Sequence, residues 1–143
     1  MRRVAAAAAA LLVACGGGGS EEPANPLAAV AGTYTLRTAG GAALPVVVDQ
    51  SESGSLEVDA ETLTLEPGGT WARTTDARIS VPASALPGGV AITPTTVTDG
   101  GAYTLAGSAL TLTSGTSGVA APATVSGGQI TQTRFNKTFV YAR

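Results

Sequence analysis

Past residue 30, glycine or proline interrupts the chain every few residues, and this punctuation limits the possible folds more than any other feature. Neither residue suits a helix interior. With 19 glycines and 8 prolines among 143 residues, no long stretch beyond the N-terminus sustains a helical period. Between the breaks lie short runs in which apolar and polar residues alternate, the pattern of half-buried strands bounded by turns. In GTYTLRT, Tyr34 and Leu36 share one face while Thr35 and Arg37 share the other. LPVVV follows the turn residues Gly40 and Gly41.

The same pattern continues to the end. SLEV (Ser55 to Val58) and TLTLE (Thr62 to Glu66) flank Asp59, Ala60 and Glu61, which reads as a hairpin. Pro67, Gly68 and Gly69 turn the chain into TWARTT, and Asp76 breaks that strand before ARISV. Pro82 to Gly89 is a loop. Pro94 interrupts Val90 to Thr98, predicting an edge, a bulge or two short strands. AYTLAGSALTLTS is the clearest hairpin, with Tyr103 and Leu105 alternating into Gly107-Ser108 and Leu110 and Leu112 alternating back. ATVSGGQITQT repeats the device at Gly127-Gly128, and TFVYAR closes the chain. About eight to ten strands with short connections favour an all-β antiparallel meander. It either closes into an up-and-down barrel or stacks as a β-sandwich. Closure removes exposed edges, and about eight strands leave an interior that is filled or holds one small ligand. The expected core is Tyr34, Leu36, Leu63, Leu65, Trp71, Tyr103, Leu105, Leu110, Leu112, Ile130, Phe139 and Tyr141, with Phe135 also spent inside.

The N-terminus carries a different signal. Arg2 and Arg3 precede an apolar run from Val4 to Val13, too short for a membrane span, which needs about 20 residues. A basic start, a short apolar stretch and a small-residue exit describe a secretory signal peptide. Leu12-Val13-Ala14-Cys15 matches the lipobox of bacterial lipoproteins, which implies cleavage before Cys15 and diacylglycerol on its thiol. Each buried methylene contributes about 0.8 kcal/mol, and one acyl chain holds only marginally, so two or three chains on Cys15 make a lasting anchor. Residues 1–14 are thus read as leader, 15–28 as a lipidated, flexible spacer of Gly, Ser, Glu, Pro, Ala and Asn, and 29–143 as one β domain. Gly16 is not the aspartate that retains lipoproteins in the inner membrane, so the outer membrane is the expected address.

Composition narrows the chemistry. Loss of Arg2 and Arg3 with the leader leaves six basic against ten acidic side chains, which argues against a nucleic-acid partner. The chain has no histidine, removing the usual general base, zinc ligand and triad base together. With no second cysteine no disulfide forms within the chain, and commitment of Cys15 to lipid removes a thiol nucleophile. Lys137 is the only lysine, and no serine motif stands near it. Glu57, Asp59, Glu61 and Glu66 cluster at the expected hairpin. A carboxylate-based hydrolase would need two carboxyls about 5–10 Å apart in a cleft, and a weak calcium site would need 6–8 oxygens. Solvated turn residues explain the cluster more simply. The expectation is a non-enzymatic protein without metal or cofactor; its oligomeric state stays open.

Strand parity marks one further group. Trp71 and Arg73 share a face, as do Ile130, Gln132 and Arg134. If Trp71 and Ile130 face inward, Trp71, Arg73, Gln132 and Arg134 form a cationic lumen for an anionic head group. Alternatively both arginines are solvated at a barrel mouth, or a bulge breaks the parity, since a buried arginine without partners is costly.

GTYTL after a polar N-terminal segment, TLTLEPGGTW, AYTLAGSALTLTS and the closing FVYAR together resemble bacterial lipocalin-like lipoproteins of the calycin type, over Ala31 to Arg143. Gly32-Thr33-Tyr34 stands where lipocalins carry Gly-x-Trp. The resemblance implies a barrel that binds a small hydrophobic molecule or serves the cell envelope as a structural or protein-interaction module with a filled interior. It further implies that the first-strand aromatic, Tyr34, is crossed by an arginine near the last strand, Arg143 or else Arg134, closing the barrel.

Overall fold

A computed structural model describes residues 24–82, 84 and 91–143. The leader, Cys15 and most of the spacer lie outside the described residues. Among the described residues one short helix, α1 (Pro26–Val30), precedes ten strands: β1 (Gly32–Ala39), β2 (Ala42–Ala43), β3 (Val46–Ser51), β4 (Gly54–Leu65), β5 (Thr70–Val81), β6 (Ala91–Ala106), β7 (Ala109–Ser114), β8 (Ala120–Ser126), β9 (Gln129–Arg134) and β10 (Lys137–Ala142).

Every strand pairing is antiparallel, and from β3 to β10 each strand pairs with the next. The sheet closes through β1, whose start pairs with β4 (Tyr34 opposite Leu63) and whose end pairs with β10 (Leu36 opposite Tyr141). The result is a closed eight-stranded up-and-down barrel, with β2 and β3 as extra strands on β1 and β4. Gly40-Gly41, Pro67 to Gly69, Gly107-Ser108 and Gly127-Gly128 turn the chain where the sequence places turns.

Tyr34, Leu63, Ile130, Phe139 and Tyr141 are fully enclosed, with Leu36, Leu65, Leu110 and Leu112 nearly so. Trp71 and Tyr103 are buried, while Leu105 is half-buried against the same cluster. Four expectations need correction. Asp59-Ala60-Glu61 is not a turn: β4 runs unbroken through it, and a β-bulge between Val58 and Ala60 absorbs the irregularity. Asp76 does not break β5, which also runs through. Phe135 is exposed, because it sits with Asn136 in the β9–β10 turn at positive φ (49° and 55°). Pro26, Leu27 and Ala28 belong to α1, not to a featureless spacer, and Leu27 packs on the core.

One end of the barrel is stoppered. Asn25 caps α1, its Oδ1 accepting from the Leu27 amide at 3.0 Å, and its Nδ2 donates to the Pro67 carbonyl. The Tyr34 hydroxyl donates to the Val30 carbonyl at 2.7 Å and the Tyr103 hydroxyl to that of Glu66 at 2.7 Å. Toward the other end, β5 and β6 outrun the barrel as a long ribbon, with β3 and the first half of β4 alongside. Ile79 and Val97 on this extension are 45% and 54% exposed. Pro94, expected to mark an edge, a bulge or two short strands, lies on it within one unbroken strand, β6, which has neither a break nor a bulge against β5 there.

Candidate functional site: the polar centre of the barrel

The bulge in β4 has a chemical consequence. Alternation alone would keep Val58 and Glu61 on opposite faces, since they differ by an odd number. The extra residue lets both point inward, and Val58 is 3% exposed, Glu61 only 1%. A carboxylate thereby enters the apolar interior, where a lone charge would be strongly unfavourable.

It is not alone. Arg134 on β9 donates from Nη2 to Glu61 Oε1 at 2.6 Å. The Tyr141 hydroxyl from β10 donates to the same oxygen and accepts from Arg134 Nη2 at 2.8 Å. Thr75 Oγ1 on β5 donates to Oε2 at 2.7 Å. Arg73 Nε stands 3.5 Å from Oε1, too poorly aligned for a hydrogen bond. Arg73 Nη2 instead donates to Gln132 Oε1 at 2.8 Å. Both guanidiniums also lie near aromatic rings, Arg73 at 5.2 Å from the Trp71 centroid and Arg134 at 4.0 Å from that of Phe139. Trp71 Nε1 donates to the Thr113 carbonyl.

The electrostatics follow from burial. Burial pulls the Arg73 guanidinium below its ordinary value, and the neighbouring Arg134 charge adds to this. Burial also pushes the Tyr141 phenol well above its ordinary value, despite the opposing pull of Arg134. The phenol therefore remains a hydrogen-bond donor to Glu61 throughout the neutral range. Two guanidiniums share one saturated carboxylate, and Arg73 Nε, Arg134 Nε and Gln132 Nε2 find no hydrogen-bond partner among the described residues.

All four residues expected in the lumen are on the inner face. Arg73 is 9% exposed and Gln132 1%, so Arg73 is not solvated at a mouth; the Arg134 side chain is 19% exposed. Trp71 contacts Arg73, Arg73 contacts Gln132, and Arg134 joins them only through Glu61. That carboxylate is the residue the sequence reading missed. Extending the Leu65, Leu63 alternation back by two positions would have placed Glu61 inward. The other acids of the cluster lie elsewhere: Glu57 and Asp59 are part-exposed beside Arg78, at 3.3 and 3.0 Å, and Glu66 is an exposed residue at the end of β4. A pocket of about 160 Å³ opens at the rim, lined by Trp71, Arg73, Asp99, Leu112, Ser114 and Val119 among others.

At the stoppered end, the Arg143 guanidinium lies 5.0 Å from the Tyr34 ring centroid. Its Nη2 donates to the carbonyls of Ala31 at 2.9 Å and Ala29 at 3.2 Å. Arg143 rather than Arg134 meets Tyr34. No protein-family model matches the chain, and neither a curated protein nor a solved structure matches it.

Proposed function

We propose that this protein is a lipid-anchored, non-enzymatic component of a bacterial cell envelope whose filled barrel serves as a structural or protein-interaction module. The observation that carries this reading is the network around Glu61. Side chains from β4, β5, β9 and β10 meet at the barrel centre, in the space where a hydrophobic ligand would have to sit. An apolar molecule placed there would strip hydrogen bonds from a buried carboxylate and its cations, a loss it could not repay. The split of the acids supports the non-catalytic part: Glu57 and Asp59 face Arg78 outside, while Glu61 is held by three hydrogen-bond donors and the nearby Arg73 charge within.

The anchor rests on Leu12 to Cys15, and the expected address is the outer membrane. Wild-type protein should take up palmitate label, and Cys15→Ser should lose the label and accumulate as precursor. Unlabelled wild type would overturn the anchor and leave a secreted soluble protein. For the barrel, native mass spectrometry of the full mature chain released from membranes should show its own mass alone. A stoichiometric non-covalent lipid would overturn the filled-barrel reading in favour of a small hydrophobic ligand.

A further inference from the structure

The barrel closes every edge around its girth, yet one long edge escapes closure. β6 pairs with β5 along Ala91–Ala102 but with β7 only from Gly101 onward. Among the described residues, no strand pairs with Ala91 to Asp99 on the side away from β5. The chain's own hydrogen bonds say which groups face that side. Tyr103 N donates toward β5, to Gly69, whereas the Gly100 carbonyl accepts from Gly115 on the β7 side. Odd positions of β6 therefore address β5, and even positions address the open edge. The N–H groups of Ile92, Thr96 and Thr98 point out, as do the carbonyls of Ile92, Pro94, Thr96 and Thr98. Pro94 falls at an edge-facing position, where its missing N–H breaks no bond to β5.

Natural proteins protect such edges with charge, bulges or cover. Ala91 to Thr98 carries no charged residue, and its apolar side chains are bare: Ile92 is 60% and Val97 54% exposed. We propose that this edge is an interaction surface whose partner is a second copy of the same chain, paired antiparallel β6 to β6 about a two-fold axis. The inference rests on the reading of the barrel as an interaction module and does not need the lipid. Self-pairing suits a neutral edge, because in an isologous contact each edge meets an identical one, and here no like charges meet.

Pro94 selects the register. Antiparallel pairing must match even with even positions. An axis through Pro94 sets two prolines opposite each other, and neither can donate. An axis through Thr96 drives Ile92 of one copy against Gly100, whose carbonyl already serves Gly115. An axis through Thr95 sets Ile92 against Thr98 and Pro94 against Thr96, forming about six inter-chain hydrogen bonds. In that register Val97 packs against Thr93 of the second copy and Ile92 against its Thr98, covering both exposed apolar side chains. Thr95 meets itself in a non-hydrogen-bonded pair, with Cα atoms about 4.5 Å apart.

That geometry is reached by a single cysteine. In the full chain, Thr95→Cys should form a covalent dimer under mild oxidation, since the spacing suits a disulfide. Thr93→Cys should not, because the register leaves the two copies of that position about 13 Å apart. Wild type carries only Cys15 and serves as control: a disulfide dimer of wild type means a free Cys15 and overturns the anchor, not the edge. The second arm uses charge. Thr95→Lys and Thr95→Glu should each weaken self-association in sedimentation by about fivefold, and an equimolar mixture should restore it. Monomeric wild type at all concentrations, no Thr95→Cys dimer, or a mixture that stays monomeric would each overturn the proposal.

Discussion

β6 passes through two environments within one strand. At Gly101 and Ala102 it pairs with β5 and β7 at once, and from there to Ala106 it stays on β7 and sends Tyr103 into the core; from Ala91 to Asp99 it has β5 alone and leaves Val97 to solvent. The two halves belong to one unbroken strand. What separates them is closure, and the passage between them is marked at Gly101, where a Cβ would lie 2.0 Å from the Thr113 carbonyl. Strand character in this chain comes from local alternation, whereas stability comes from what the barrel encloses.

The largest effects should therefore come from the barrel centre. Glu61→Leu leaves two guanidiniums buried without their shared anion and should cost about 3–5 kcal/mol in urea denaturation. Replacing Arg73 and Arg134 by methionine in the same chain should return most of that loss; if it does not, the carboxylate matters for shape and not for charge. Next, Leu112→Ala should cost about 3 kcal/mol, while Ile79→Ala on the ribbon should stay within about 0.5 kcal/mol. Equal losses would erase the distinction between barrel and ribbon.

Tyr141→Phe should cost about 2 kcal/mol through its bond to a buried charge, and it carries a pH signature. The folded-state pKa of this phenol lies above its unfolded value of about 10. Its contribution is fully present below that pH and is lost as the pH rises further, because the unfolded chain releases the proton first. The alkaline fall in stability should be shallower in Tyr141→Phe. A smaller effect belongs to the stoppered end. Arg143→Ala should cost about 0.5–1 kcal/mol, and a double-mutant cycle with Tyr34→Leu should show coupling; pure additivity would mean that the ring and the guanidinium do not interact.

Much of this arrangement was legible in the sequence, and the failures have a common cause. The β6–β7 and β8–β9 hairpins could be read because glycine turns sit between cleanly alternating runs. The shared inward face of Trp71 and Arg73 could be read because β5 keeps its parity from Thr70 to Val81. Glu61 was missed although its parity with Leu63 and Leu65 places it inward, because the acids around it imitate a turn and the bulge at Asp59 breaks the alternation with Val58. Phe135 was misplaced for a related reason: its hydrophobicity argued for burial, while a two-residue turn required it and Asn136 at positive φ. Period-two reasoning holds between irregularities and fails at them. The partner strand for a carboxylate is a non-local fact that no short window contains.

That non-locality bears on how the molecule comes into being. Thr75 is 14 residues from Glu61, but Arg134 and Tyr141 are 73 and 80 residues away. Early hairpins can form without them, since each needs only its own turn, yet the carboxylate waits for the last strands to arrive. Contacts so distant along the chain slow the search for the native state. Until β9 and β10 dock, a half-built barrel would hold an unpaired anion at its centre and keep it wet. Assembly should therefore finish in one late, cooperative step, in which drying of the interior and neutralisation of Glu61 occur together.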